Sequence, residues 1–153
     1  MTAVATTPAR AIASDLLERT GHGLLTGDFD RFHPCFTIPT LLESYDGQVE
    51  VTSVEQCRAI FEDMRRYFKA KSVSDLVRQV VSAEYVADDR IHSTHEARMI
   101  AGSQLVQAPY PVLSTIDRTP DGWKISRSLY AIADAPDHVR ILTPNTPPEG
   151  ATQ

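Results

Sequence analysis

Two histidines three residues apart, with a glutamate beside the second, occur in the segment IHSTHEARM, residues 91–99. In a helix, His92, His95 and Glu96 would share one face and could bind a zinc ion. In a strand, successive side chains alternate between the two faces, so His92 and His95 would point to opposite sides. Whether the segment can hold a metal therefore depends on the elements around it.

The segment lies in the most strand-like part of the chain. Residues 73–86, 90–101, 105–118 and 123–132 are rich in β-branched and aromatic residues, and short turns containing Asp, Gly, Ser and Pro separate them. Short turns make consecutive strands antiparallel neighbours. The pattern predicts a four-stranded antiparallel meander, and we expect neither a metal site nor another cofactor.

As a strand residue, His95 shares a row with apolar and small neighbours, namely Ile91, Ser93, Ala97 and Met99. Small residues on both sides leave space beside the imidazole, which a close-packed core would fill. Two interpretations follow. His95 is either a hydrogen-bonded core histidine or a functional group facing a pocket, where its ordinary pKa near 6.5 suits general acid/base catalysis.

The last hairpin determines which polar side chains join His95. With Thr119–Gly122 as the loop, the predicted register pairs Val112 with Leu129, which makes this apolar face the inward one. That face also carries three polar residues: Tyr110, Ser114 and Arg127.

A buried arginine needs an anion, and Glu84 on the first strand of the meander or a ligand carboxylate or enolate could supply it. We therefore predict His95 and Arg127 as the catalytic residues.

Helices and a hairpin precede the meander. Thr7-Pro8 begins and Gly27 ends the first helix, and Asp28 caps a short second one that contributes Phe32. Asp46-Gly47 is the preferred two-residue hairpin turn. A long amphipathic helix follows, with Ser53 and Gln56 in capping-box spacing, each able to bind the other's free amide. Helices first and strands after, without alternation, is an α+β pattern.

Composition sets limits on function. The chain has 153 residues, 42% of them hydrophobic and 23% charged, with a net charge of −5. This predicts one ordinary globular domain, and without a basic cluster or a long apolar run we expect no nucleic-acid or membrane partner. Cys35 and Cys57 lack CxxC spacing, and the N-terminus lacks the pattern of a secretory signal, so we expect a reducing, cytoplasmic location.

On the helix ending LLTGDFDRF, the order of elements and the final DGWKISRSLYAI, the chain resembles the NTF2-like superfamily, which includes SnoaL-like and ketosteroid-isomerase-like proteins, over residues 8–133. The resemblance implies a cystatin-like, cone-shaped α+β barrel, with helices in the concave face of a strongly curved, mainly antiparallel sheet. It also implies a hydrophobic pocket and a homodimer through the outer sheet face, where we place Tyr85, His92, Glu96 and Arg98. Residues 1–7 are expected to be flexible, and 134–153 to be a Pro-rich extension, disordered after about residue 143.

The isomerase residues of this superfamily do not carry over. The position of the isomerase tyrosine is Thr20, the general-base aspartate counts to Ser44 beside Glu43, and the proton-donating aspartate has no counterpart beyond Ser114. The resemblance thus leaves a histidine-centred site, whose predicted ligand-binding residues are Tyr110, Ser114, Glu84, Ser44, Phe32 and Met99.

Three functions stay open, because this fold hosts many unrelated activities. The first is a lyase, isomerase or cyclase that acts on a small, mostly apolar carbonyl compound. His95 would be its general acid/base, and Arg127 would stabilise negative charge that develops on the oxygen. The second is a non-catalytic ligand-binding or dimerisation module, and the third is an accessory subunit such as those of ring-hydroxylating oxygenases.

Overall fold

A computed structural model describes residues 7–144 of the chain. The expectations for residues 1–6 and 145–153 lie outside this range. The elements, in chain order, are α1 Ala9–Thr26, α2 Phe29–Phe32 with a 3-10 turn at His33–Cys35, β1 Phe36–Ser44, β2 Gly47–Val51, α3 Val54–Ala70, β3 Asp75–Ala87, β4 Arg90–Ala101, β5 Gln104–Leu105, β6 Tyr110–Thr119, β7 Gly122–Tyr130 and α4 Pro136–Leu142.

The helix ends lie close to the predicted signals, but the start of α1 differs: Pro8 is its N-cap rather than its first residue, and no side chain caps it. Gly27 ends α1 in the left-handed conformation, with φ of 82°, and its N–H donates to the Gly23 carbonyl oxygen. The Asp28 side chain caps α2, and Ser53 caps α3 by accepting from the Gln56 N–H at 3.1 Å. The Gln56 side chain does not return the bond to Ser53; it accepts from Thr52 N–H instead. No helix in the described part combines the length and hydropathy that a bilayer span requires.

The sheet is strongly curled and unclosed, with strand order β2-β1-β7-β6-β4-β3 and β5 paired to β4. β1 and β7 run parallel, and the other pairs are antiparallel, which confirms the mainly antiparallel prediction. The predicted β1–β2 turn was one residue late, since Ser44 pairs with Gly47 and the turn is Tyr45-Asp46. Each β1 residue therefore pairs with a β2 residue two positions earlier than predicted, and a shift of two leaves every side chain on its predicted face.

Two β-bulges change which side chains face inward. In β7, Ile116 pairs with Ile125 but Thr115 pairs with Arg127, so Ser126 is an extra residue. In β3, the register shifts between Val80 and Ser82, which makes Val81 the extra residue. Each bulge reverses the face of the residues that follow it, in β3 as far as Tyr85, after which the register shifts again.

The β3 bulge corrects a predicted interface residue. Tyr85 points inward rather than to the outer face, and its ring packs edge-on against Trp123 with centroids 5.8 Å apart. Arg10 of α1 fixes the bulge by donating to the carbonyl oxygens of Val80 at 2.7 Å and Val81 at 3.1 Å. Because β3 is an edge strand of the sheet, these contacts also protect an exposed edge.

The concave face of the sheet holds two apolar clusters. One packs α1 against the strand residues Ile91, Ile116 and Ile125, and the other packs α3 against β1, β4 and β6. Helix α4 belongs to the second cluster through Val139 and Leu142. The predicted boundary at residue 133 leaves out this helix, although its start is typical, with Pro136 in the first turn followed by Asp137.

Candidate functional site

A cavity of about 80 Å³ lies between the helices and the concave face of the sheet. Side chains from α1, α2, α3 and α4 cover it, and the strands form its floor. The lining is mostly apolar and includes the predicted Phe32 and Met99. Its polar residues are Thr20, Thr40, Arg78, His95, Tyr110, Ser114, Ser128, Tyr130 and His138.

His95 lies on the floor of the cavity, on β4, the second strand from one edge of the sheet. The segment 90–101 is the strand β4, and the row of His95 is buried as predicted, while His92 is exposed on the other face. The two histidines therefore cannot bind one metal ion. Within residues 7–144, no group of three or more His, Cys, Asp and Glu side chains is placed to hold one.

The surroundings of His95 separate its two interpretations. The side chain is only 5% exposed, and within residues 7–144 neither ring nitrogen forms a hydrogen bond; both are open to the cavity instead. It is not the hydrogen-bonded core histidine of the first interpretation. Burial, together with the positive charge of Arg78, lowers the pKa of His95 to about 3. The imidazole is therefore neutral at pH 7 and can donate one hydrogen bond and accept another.

The cross-strand neighbours of His95 explain the open space. Val80 and Val112 stand directly opposite it on β3 and β6. In the next row three serines stand side by side, since Ser93 pairs with Ser114 and Ser114 with Ser128. On the other side, Ala97 lies between Arg78 and Tyr110, across three strands. Because the side chains on both sides of His95 are small, there is open space beside its imidazole ring.

Arg127 does not share the cavity with His95, so the prediction that they converge is wrong. The β7 bulge turns Arg127 to the outer face, where it is exposed and its Nε donates to Glu43 Oε1 at 2.6 Å. Glu84 is displaced in the same way by the β3 bulge and faces outward opposite His92. Both side chains line a shallow polar groove on the outer face of the sheet.

The arginine that lines the cavity is Arg78, which is half-buried. Its Nη2 donates to the Leu17 carbonyl oxygen and to Thr20 Oγ1, both at 2.6 Å, and burial lowers its pKa. Sequence reasoning missed it although a signal existed: Leu76, Arg78 and Val80 alternate on one face of β3, ahead of the bulge.

Of the other predicted ligand-binding residues, Tyr110 and Ser114 line the cavity and Ser44 does not. Burial raises the pKa of Tyr110, so its hydroxyl stays protonated. Ser44 is buried at the edge of β1, where its hydroxyl bonds to Thr143 Oγ1 at 2.7 Å. Its role is to anchor the C-terminal segment.

Helix α4 closes one end of the cavity with His138 and Leu142. The Tyr67 hydroxyl donates to Gln107 Oε1 at 2.9 Å, and Gln107 Nε2 contacts His138 Nδ1 at 3.1 Å. Burial lowers the pKa of His138 to about 4. Unlike His95, His138 is a buried histidine with a polar partner, and its function is to hold α4 in place.

No protein-family model and no curated protein matches the sequence. Solved structures are similar in fold. A domain of unknown function with a cystatin-like fold from Nostoc punctiforme is 16% identical, with a TM-score of 0.65 over 84% of this chain and 80% of that one. An NTF2-like protein with a cystatin-like fold from Novosphingobium aromaticivorans is also 16% identical, with a TM-score of 0.63 over 81% of each chain.

A protein provisionally described as an aromatic ring hydroxylase, also from Novosphingobium aromaticivorans, is 15% identical, with a TM-score of 0.61 over 87% of this chain and 99% of that one. At such low identity these similarities concern the fold. They confirm the NTF2-like, cystatin-like α+β fold expected from the resemblance.

Proposed function

On this NTF2-like fold, we propose that the cavity binds a small, mostly apolar organic molecule, with His95 as its central hydrogen-bonding group. The observation that carries the proposal is a buried imidazole that faces the cavity and has no hydrogen-bond partner among the described residues. Neither ring nitrogen is sealed from the cavity, so both are available to a molecule inside it. His138, the buried histidine with a structural role, keeps a polar partner in Gln107, whereas His95 has none among the described residues.

The polar groups around His95 support binding in the same way. Tyr110, Ser114, Ser128 and Tyr130 all line the cavity together with His95. A few convergent polar groups in an apolar concavity are typical of small-molecule sites. The small volume restricts the ligand to a compact molecule unless the helices move apart.

Acid/base catalysis receives less support than binding. With a pKa near 3, His95 holds no imidazolium proton at neutral pH and is a weak base. The proposed function is therefore that of the non-catalytic ligand-binding module rather than of a lyase, isomerase or cyclase. No observation favours the accessory-subunit alternative.

The test is to fill the cavity. A panel of small aliphatic and aromatic compounds, both neutral and charged, is screened by thermal shift and by amide chemical-shift changes in NMR. We expect some compounds to stabilise the wild type and to shift signals of β4 and β6. Ala97→Leu, which adds volume between Arg78 and Tyr110, should abolish both effects, and Ser114→Val should weaken them.

The matched control is Val77→Leu, which enlarges an exposed residue on the outer face of β3. It should bind like the wild type. If no compound binds the wild type, or if Ala97→Leu binds as well as Val77→Leu, the cavity is not a binding site.

A further inference from the structure

We propose that the ligand of this cavity carries a carboxylate group and that the guanidinium of Arg78 is the receptor for it. The inference rests on the proposed function and adds the charge of the ligand and the residue that selects it.

Arg78 is held firmly where a ligand in the cavity can reach it. Its Nη2 donates to Leu17 O and Thr20 Oγ1 of α1, both at 2.6 Å. Gly21 permits this close approach, because a Cβ there would lie 3.0 Å from Nη2. The Thr20 hydroxyl is itself fixed by donating to the Leu16 carbonyl oxygen at 2.9 Å. The guanidinium is therefore preorganised before any ligand binds.

No carboxylate neutralises this guanidinium in the described structure. Arg78 takes part in none of the ion pairs formed within residues 7–144, and neither Asp nor Glu lines the cavity. Arginines on the surface do have such partners, for example Arg90 with Asp117 and Arg127 with Glu43. Arg78 is half-buried, and its other side faces an open pocket that Glu18 also lines. A charge partly withdrawn from water without a paired counter-charge is unfavourable, and an anionic ligand would reduce that cost.

Some N–H groups of the Arg78 guanidinium remain free to bind a ligand. A guanidinium carries five N–H groups, and the two on Nη2 are used by Leu17 and Thr20. The N–H groups on Nε and Nη1 have no acceptor among residues 7–144. Charged N–H groups bind carboxylate oxygens with roughly twice the strength of neutral hydrogen bonds.

The surroundings favour a carboxylate over a phosphate. Arg78 is the only cationic side chain at the cavity within the described residues, because His95 and His138 are neutral at pH 7. One positive charge in an apolar cavity matches a monoanion and leaves a phosphate dianion undercompensated. Ala97 provides room beside Arg78, and the Tyr110 hydroxyl beyond it can donate a further hydrogen bond.

The experiment compares ligands that differ only in charge. Benzoate and benzamide, and butyrate to octanoate with their primary amides, are titrated by NMR and calorimetry at pH 7. We expect the wild type to prefer the carboxylate of a pair by about tenfold or more, as a lost charge-assisted hydrogen bond predicts. Arg78→Met should lose this preference, and Arg78→Lys should retain part of it.

Arg10→Met is the matched control. Arg10 also donates to two groups of the fold, the carbonyl oxygens of Val80 and Val81, but it does not line the cavity. Its loss removes one positive charge near β3 and should leave the preference unchanged. If Arg78→Met fails to fold, the comparison of Arg78→Lys with Arg10→Met still tests the role of Arg78.

The outcomes separate the two proposals. If neither member of any pair binds, the proposed function and this inference both fail. If the amides bind the wild type as well as the carboxylates do, the cavity is a ligand site but not one for anions. The assignment to Arg78 is overturned if the preference for carboxylates persists in Arg78→Met.

Discussion

Ser44 and Thr143, 99 residues apart in the chain, are joined hydroxyl to hydroxyl at 2.7 Å in the buried interior. Thr143 Oγ1 also donates to the Val139 carbonyl oxygen, so the shared proton comes from Ser44. Ser44 Oγ in turn accepts from the Asp46 N–H at 3.2 Å. This chain of hydrogen bonds ties the end of α4 to the β1–β2 turn, while His138 fixes its beginning.

The hydrogen bond between Ser44 and Thr143 should contribute to the stability of the protein. Ser44→Ala and Thr143→Val should each lower the free energy of unfolding by about 1–2 kcal/mol, because each removes the buried hydrogen bond between the two hydroxyls. The double variant should lose less than the sum of the two. Urea denaturation of the four proteins measures the coupling. If the two losses of stability add strictly, Ser44 and Thr143 are not coupled. If Ser44→Ala weakens cavity binding without changing stability, Ser44 belongs to the ligand site and does not anchor the C-terminal segment.

Acid should destabilise the protein below about pH 6.5. In the unfolded chain His95 and His138 take up protons near pH 6.5, whereas in the folded protein their pKa values are about 3 and 4. Between these limits the unfolded state binds more protons, so the free energy of unfolding falls as the pH falls. Together the two histidines should lower the free energy of unfolding by several kcal/mol between pH 7.5 and 4.5. Denaturation curves from pH 7.5 to 4.5 measure it.

Variants distinguish these histidines from the carboxylates that titrate at the lower end of this range. His95→Leu combined with His138→Phe should flatten the pH dependence between pH 6.5 and 5. A wild type whose stability is constant over that range, or a double variant with an unchanged slope, would show that the two imidazoles are not buried in neutral form.

Replacing His95 should affect binding more than stability. His95→Leu removes a buried polar group that has no partner among the described residues, so the free energy of unfolding should stay within about 1 kcal/mol of the wild-type value or rise. Affinity for a cavity ligand should fall by about tenfold, the value of one hydrogen bond. Thermal melts and ligand titrations provide both numbers.

Gln107→Leu is the contrasting case for His95→Leu. It removes the partner of both Tyr67 and His138 and should cost about 1–3 kcal/mol. If His95→Leu is instead the more destabilising change and ligand affinity is kept, His95 is a structural residue.

Arg127→Met should have almost no effect on stability or on ligand binding. The ion pair with Glu43 lies on the outer face, and exposed pairs contribute about 0–1 kcal/mol. The free energy of unfolding should change by less than about 1 kcal/mol, and the affinity for cavity ligands should not change. A large loss of ligand affinity, measured in the same titrations as Arg78→Met, would contradict the orientation of β7 after its bulge.

We expect a homodimer through the outer face of the sheet. Val77, Val81 and Leu113 are exposed there at 42%, 61% and 45%, among polar side chains that include the Glu96–Arg98 pair. Exposed apolar residues of this kind commonly mark self-complementary interfaces. Light scattering at micromolar concentration should give a dimer, and Val81→Glu with Leu113→Glu should give a monomer. A monomeric wild type would refute the prediction.

The row of His95 could be predicted because β4 is regular where it carries that row. Two residues with small side chains beside an imidazole indicated a cavity, and both are where alternation places them. Arg127 and Glu84 were misplaced for one physical reason. Each follows a bulge, and a single extra residue in a strand exchanges its faces without leaving a clear mark in the composition.

Arg78 could have been recognised by alternation, since it precedes the β3 bulge and lies between two residues of an apolar row. Its contacts could not, because the approach to Leu17 and Thr20 depends on how α1 lies across the sheet. Helix α4 is similar: its terminal signals are local, but its place over the cavity follows from long-range contacts to β1 and α3.

The parallel pairing of β1 with β7 sets an order of assembly. In the sheet, β1 has β2 on one side and β7 on the other, so the N-terminal hairpin joins the meander only through the last strand. Leu42 meets its partner Ser128 across more than eighty residues of intervening chain. Such non-local closure carries a high entropic cost and slows folding. On the ribosome, the meander from β3 to β6 can therefore form first, while the concave face closes only after β7 has left the exit tunnel.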